Sequence, residues 1–299
     1  MLFISPPFGN YVNLPGTMPI RGSFTLEPRK GLLSQIFKTL RYSKEWKGWV
    51  NKIGLRNPGL DYAIKKYYKL ATDPKTNIIS IAILSKEEIP KIKNKLPDDM
   101  NIEINVSCPN TEKGMVDKGI HVFLNEKRKW CILKLSPIID FEKIDEYYNM
   151  GFRQFHCSNT FPLYKNKQFV GGLSGPSLRS INKTLIHYIR KRYPETTIIA
   201  GGGIQSIKDI ENYNYMLHYV LNSAFYCHDC HHEEPLFSSN YLESPLRKRL
   251  FHDSYIAATF SCGDFHPLNA KNNDPLNAKN NDPLNAKNND PLNAKNNDP

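Results

Sequence analysis

An α/β fold with parallel strands is predicted by three features of this sequence. Short runs dense in Ile, Val and Phe recur along the chain, helical spacing of apolar residues fills the intervals, and polar clusters rich in Asn, Ser and Gly close the runs. Continuous apolar runs of this length suit strands buried on both faces, and strand–helix alternation suits parallel strands joined by right-handed crossovers.

The runs come in order as LFISPPF (2–8), MPIRGSFT (18–25), NIISIAIL (77–84), NIEINVSC (101–108), WCILKLS (130–136), FRQFHCSN (152–159), TIIAGGG (197–203) and HYVLNSAF (218–225). Eight such strands favour a closed (β/α)8 TIM barrel over an open doubly wound sheet. A barrel requires its chemistry to gather at the carboxyl ends of the strands. NVSCPNT, KLSP, CSNT, GGG and NSA all lie at such ends. Among the helices, SLRSINKTLIHYIRKRY (177–193) is the clearest, since Leu178, Ile181, Leu185 and Ile189 share a face and Ser177 stands where a cap belongs. FEKIDEYYNM (141–150) and SIKDIENYNYM (206–216) read as two more.

From Pro267 the octapeptide PLNAKNND recurs four times, ending at Pro299. Leu and Ala are its only aliphatic residues, too little apolar surface to offset the entropy of ordering, so residues 263–299 are expected to be a disordered low-complexity tail on a 1–262 barrel. The 299-residue chain is 40% hydrophobic, enough for a sizeable core. It has no apolar stretch of about eighteen residues, and its first residues lack the pattern of a signal peptide. A soluble, cytoplasmic protein with no membrane partner is therefore expected. Six scattered cysteines read as reduced thiols rather than a disulfide framework. The net charge of +11 comes partly from residues 29–52, where basic side chains alternate with Tyr42, Trp46 and Trp49. No nucleic-acid motif accompanies that stretch, so it reads as a solvated face that attracts small anions.

Several residues carry candidate chemistry. GGLSGPS (171–177) and AGGGIQS (200–206) place glycines at strand-to-helix junctions, where bare backbone can approach a phosphate. Neither has the spacing of a dinucleotide fingerprint or a P-loop. Asn51, Asn105, Asn110 and Asn159 lie at or near strand ends, and an amide side chain matches a flat ring with alternating C=O and N–H groups. Lys134 is a lone cation in an apolar strand and needs an anion or a polar ligand. Cys108 ends the fourth run, between two of the asparagines. CHDCHH (227–232) could furnish three zinc ligands, but no second pair at matching spacing exists, so no metal site is expected.

INVSCPNT, LKLSP, SNT, GGLSGP and IIAGGGI, in this order, resemble the dihydroorotate dehydrogenase family over residues 1 to about 226. KLSP, GLRNPG and GGLSGP are most similar to the soluble form that pairs with an iron–sulfur flavoprotein subunit. The resemblance implies an FMN-containing barrel that oxidises dihydroorotate to orotate in pyrimidine biosynthesis. It places Cys108 as the catalytic base, Asn51, Asn105, Asn110, Asn159 and Thr160 around the pyrimidine, and Lys134 against the flavin. Gly172, Gly202, Gly203 and Ser223 match the family's phosphate turns. A homodimer and the iron–sulfur partner subunit are both compatible with it. The chain departs from the family in a shortened first βα unit, in Gly22 where a flavin-contacting lysine is usual, with Arg21 beside it, and in the segment after Ser223. Two other readings stay open, a related flavin barrel acting on another pyrimidine and a catalytically impaired barrel that serves as a binding module.

Overall fold

A computed structural model of the chain describes residues 1–106, 119–223 and 254–258, with the backbone alone described for 215, 216, 218–223 and 254–258. Cys108, Asn110, the CHDCHH motif and the repeat tail lie outside the described residues. The elements run β1 (Leu2–Ile4), β2 (Thr17–Phe24), α1 (Leu32–Thr39), β3 (Arg41–Ser43), β4 (Gly48–Asn51), α2 (Leu60–Ala71), β5 (Ile78–Ala82), α3 (Glu88–Lys95) and β6 (Ile102–Asn105). They continue with β7 (Cys131–Lys134), α4 (Phe141–Asn149), β8 (Gln154–Cys157), β9 (Phe161–Lys165), β10 (Gln168–Ser174), α5 (Leu178–Arg192), β11 (Thr197–Gly201), α6 (Ile207–Ser223) and β12 (Ser254–Ala258).

Eight of these strands close a barrel in the order β1-β12-β11-β8-β7-β6-β5-β2, and every pairing within it is parallel. The strands alternate between two environments, as their period of two demands, apart from a register shift in β2 between Arg21 and Phe24. Ile79, Ile81, Ile102, Ile104, Leu133, Phe155, Cys157, Ile198 and Ala200 belong to one apolar cluster with the helix residues Leu60, Ile92, Ile144, Tyr147, Leu185, Ile189 and Leu217. That cluster is the layer between strands and helices. The alternate positions face the barrel interior, where Phe3, Met18, Ile20, Ile78, Trp130, Ile132 and Ile199 form a second, separate cluster. Further along the same strands, toward their carboxyl ends, the interior positions turn polar.

The eighth strand differs from the sequence expectation. Residues 218–223 of HYVLNSAF continue α6, and β12 closes the barrel instead by pairing with both β1 and β11. The helical spacing of Ile210, Tyr213 and Leu217 extends through Leu221 in sequence, which favours one uninterrupted helix over a break into a strand. Between β1 and β2 there is a 3-10 turn at Phe8–Asn10 and no α-helix, so the first βα unit is short.

A four-stranded sheet of order β3-β4-β10-β9 was not expected from the sequence. Its two halves leave the barrel after β2 and after β8, from the carboxyl ends, so the sheet belongs to the same end as the polar interior. The hairpin β9–β10 turns through Asn166 and Lys167, both at positive φ (49° and 62°), as a two-residue hairpin loop requires. Pro162 and the glycines at 171 and 172 mask its strand character in the sequence.

Candidate active site

At the carboxyl end of the barrel, adjacent strands bring single polar residues to one level. Register pairs Asn105 with Lys134 and Lys134 with His156, while Ser80 stands beside Glu103 two residues deeper. Asn105 and Glu103 are two apart on β6, so both point inward.

Glu103 is fully buried and organises this layer. Its Oε1 accepts from Ser80 Oγ at 2.8 Å and lies 4.0 Å from Lys134 Nζ, and its Oε2 accepts from His156 Nδ1 at 2.6 Å. Burial pushes its carboxyl up, but the Lys134 charge, His156 and the hydrogen bonds from His156 and Ser80 outweigh burial and hold it down at about 2. Burial, aided by the Lys134 charge, lowers His156 against the pull of Glu103. His156 is therefore a neutral imidazole at pH 7, donating from Nδ1 and accepting at Nε2 from Ser5 Oγ at 3.3 Å. Lys134, only 4% exposed, thus has the anion that a buried cation needs. At 4.0 Å and an effective dielectric of ~20 their attraction is about 4 kcal/mol, comparable to the cost of burying the lysine.

At the level of Lys134, Asn105 Nδ2 donates to Ser23 Oγ at 3.2 Å, and Asn159 Nδ2 donates to Asn105 Oδ1 at 3.2 Å. Asn159 is held twice more, by its own N–H on Leu135 O at 2.9 Å and by Thr160 N–H on its Oδ1 at 2.8 Å. Asn51 ends β4 in the smaller sheet, opposite Gly172, whose carbonyl takes its Nδ2 at 3.5 Å. The structure thus brings Asn105, Asn159, Thr160 and Lys134 together at the mouth of the barrel, with Asn51 reached through Gly172. Cys108 and Asn110 follow Asn105 by three and five residues in sequence.

The expected phosphate residues separate. Gly172 does not open a helix but lies within β10, where a Cβ would come 2.3 Å from Thr160 Oγ1, so its role is to let β10 pass close to Thr160. Gly202 and Gly203 form the turn after β11 at φ of 87° and 71°, and a Cβ on Gly203 would stand 2.6 Å from Gly175 O. The two glycine turns therefore touch, leaving bare backbone at the strand end. The helix start beyond them is already occupied, because Asp209 Oδ2 accepts from Gln205 N–H, Ser206 N–H and Ser206 Oγ, with Arg179 paired to the same carboxylate. An anion would meet the Gly202–Gly203 turn rather than the end of α6. Ser223 ends α6 and not a barrel strand, which removes the strand-end placement expected for it. Ser177 does not cap α5 either, since its Oγ donates to Trp46 O at 2.8 Å.

The two described cysteines do no such chemistry. Burial pushes Cys131 up to about 12 and raises Cys157 further still, so both remain thiols. Among the described residues no group of His, Cys, Asp and Glu could hold a metal ion, and no helix is long and apolar enough to cross a membrane. Glu103, His156 and Ser80 were missed by sequence reasoning. Their signal was a single polar residue at an inward position of each apolar strand, legible only once the lysine's partner is sought on neighbouring strands.

The residues present suit an anionic, flat cofactor: a turn of bare backbone at the end of β11, and a buried cation at the end of β7, two strands away round the barrel. A model of the dihydroorotate dehydrogenase family matches residues 12–215. The chain is 29% identical over 201 residues to a protein of Oceanobacillus iheyensis named dihydroorotate dehydrogenase B (NAD(+)), catalytic subunit, covering 58% of this chain and 65% of that one. Proteins of the same name from Thermotoga petrophila (27% over 242 residues, 71% and 88% covered) and Brachyspira hyodysenteriae (29% over 245 residues, 73% and 76% covered) are similar as well.

Proposed function

Because the chain belongs to the dihydroorotate dehydrogenase family, we propose that it oxidises dihydroorotate to orotate with bound FMN. The observation that carries this reading is the linked pair Asn105–Asn159 at the same barrel mouth as Lys134. Two amides in fixed orientation offer both a donor and an acceptor to a ring that alternates C=O and N–H.

The reaction takes a proton from C5 of the substrate and a hydride from C6. When bound, FMN supplies the hydride acceptor. Cys108 takes the C5 proton: a thiol with a reference pKa of about 8.5 gives a usable base near neutral pH, as an alcohol does not. Asn51, Asn105, Asn110 and Asn159 hold the ring so that C5 faces the sulfur, with Thr160 holding Asn159, and this positioning is a large part of the rate gain. Lys134 would face the flavin, and the Gly202–Gly203 turn would receive the phosphate. The relatives' designation as NAD(+) catalytic subunits supports a partner subunit and NAD(+) as the final acceptor.

The test is a visible spectrum of the purified protein, recorded anaerobically with and without dihydroorotate. A yellow protein that bleaches on addition is the expected result. A colourless protein that FMN cannot reconstitute overturns the proposal.

A further inference from the structure

Asparagine amides are symmetric in shape, so a site that uses them must decide which end is C=O and which is NH2. In this barrel the decision is traceable bond by bond. The backbone N–H of Thr160 can only donate, so the atom of Asn159 that it meets at 2.8 Å is Oδ1. The other end of Asn159 is then NH2, and its partner at 3.2 Å on Asn105 must be Oδ1. Asn105 therefore presents NH2 to Ser23 Oγ at 3.2 Å. Ser23 has one proton, which goes to Ser80 Oγ at 2.8 Å, and Ser80 gives its own proton to Glu103 Oε1 at 2.8 Å. A carboxylate only accepts, so the chain ends there without conflict.

Both ends are fixed by groups that cannot reverse, a peptide N–H and a buried anion held in place by Lys134 and His156. Flipping Asn105 would bring two NH2 groups together at Asn159. It would also ask Ser23 for a proton that Ser80 needs to receive, and reversing the serines in turn would leave Glu103 Oε1 without its donor. Ser80 and Glu103 are both fully buried and lie below the asparagines, so neither touches a ligand at the mouth.

We propose that Glu103 and Ser80 are positioning residues: through Ser23 they set the direction in which the Asn105 amide points, and with it the orientation of the Asn105–Asn159 pair toward the pyrimidine ring. This rests on the function proposed above. It adds a source of specificity that lies beneath the site and reaches it by hydrogen-bond polarity alone.

Ser80→Ala breaks the relay while leaving the Glu103–Lys134 pair in place. Orotate affinity measured by titration calorimetry should fall about three- to tenfold, the effect of one net hydrogen bond. The KM for dihydroorotate should rise by a similar factor and kcat should fall as well, because the orientation set through Asn105 also aligns C5 with its base. Ser23→Ala removes the next link and should give the same result. The double variant should be no worse than either single one, since both break one chain. Flavin content at the wild-type level confirms that each variant folds. Orotate affinity within twofold of wild type in both single variants, or additive losses in the double variant, overturns the relay while leaving the functional reading intact. A wild-type protein that does not bind orotate overturns both.

Discussion

Replacing Glu103 by Gln keeps the shape and the acceptor for Ser80 but removes the charge, so it isolates what the buried anion contributes. The carboxyl is held at about 2 in the folded protein against 4.5 when unperturbed. Its charged form is therefore favoured by folding by about 3 kcal/mol, on the order of the usual cost of leaving a buried partner unpaired. Because the folded value is the lower one, this stability is complete above 4.5 and is lost as pH falls through about 2. Glu103→Gln should thus be destabilised by about 3 kcal/mol at pH 7 and by only about 1 kcal/mol near pH 3. For a domain of this size the former is a fall in Tm of roughly 6–12 °C. Urea denaturation of both proteins at several values between pH 7 and pH 3 reads the difference directly. His156 acts in the same direction from its unperturbed 6.5 downward, and because Glu103→Gln keeps the imidazole, the difference between the two proteins is what reads the Glu103 component. A gap between the two proteins that stays constant from pH 7 to pH 3 would refute the assignment of Glu103 as a buried, paired carboxylate.

Cys108→Ala should bind orotate normally but slow stopped-flow flavin reduction by about 10² to 10⁴-fold, the usual effect of removing a positioned base; equal rates would mean that another group takes the C5 proton. Cys108→Ser should recover part of the rate, mainly at high pH. Gly172→Ala places a methyl 2.3 Å from Thr160 Oγ1, and the resulting displacement should cost about 1–3 kcal/mol in thermal unfolding and weaken orotate binding through Thr160 and Asn159; unchanged binding would separate β10 from the site.

Most of the barrel was legible because parallel strands buried on both faces leave an unbroken apolar signature. Ile78–Ala82, Ile102–Asn105, Cys131–Lys134, Gln154–Cys157 and Thr197–Gly201 all fall inside runs read from the sequence. What failed was the last strand, where Val220 and Leu221 suit a strand and a helix equally and the choice depends on the helical spacing begun at Ile210. β12, SYIAA, is five residues long and was not recognised as a strand. The smaller sheet was hidden for another reason: its strands are short or half-exposed, Pro and Gly interrupt β9 and β10, and its two hairpins meet across more than 100 residues of sequence. At the barrel mouth, Asn105, Asn159 and Lys134 stand out in the sequence as polar residues at the ends of apolar runs. Glu103 and Ser80 do not, and only strand register shows that they lie next to Lys134 and Asn105.

The departure at position 22 bears on how the site handles charge. Gly22 lies at a φ of 127°, and a Cβ there would come 2.4 Å from Ser80 O, so the backbone of β2 passes too close to β5 for any side chain. Arg21 is no substitute: it faces outward over the Tyr67 ring and is tied to Asn77 Oδ1 and Gly9 O, each at 2.7 Å. The Lys134 charge is matched by Glu103 while His156 stays neutral, and Arg179, which donates to Gly203 O at 2.7 Å, is paired with Asp209. The close approach that excludes a lysine at 22 is in the same stretch of β2 that brings Ser23 within 2.8 Å of Ser80. In this chain the second strand has no side chain at 22 and carries instead the Ser23 link between Ser80 and Asn105. On the function proposed above, Ser80→Ala, a change that alters no charge, is therefore the more discriminating test of the site.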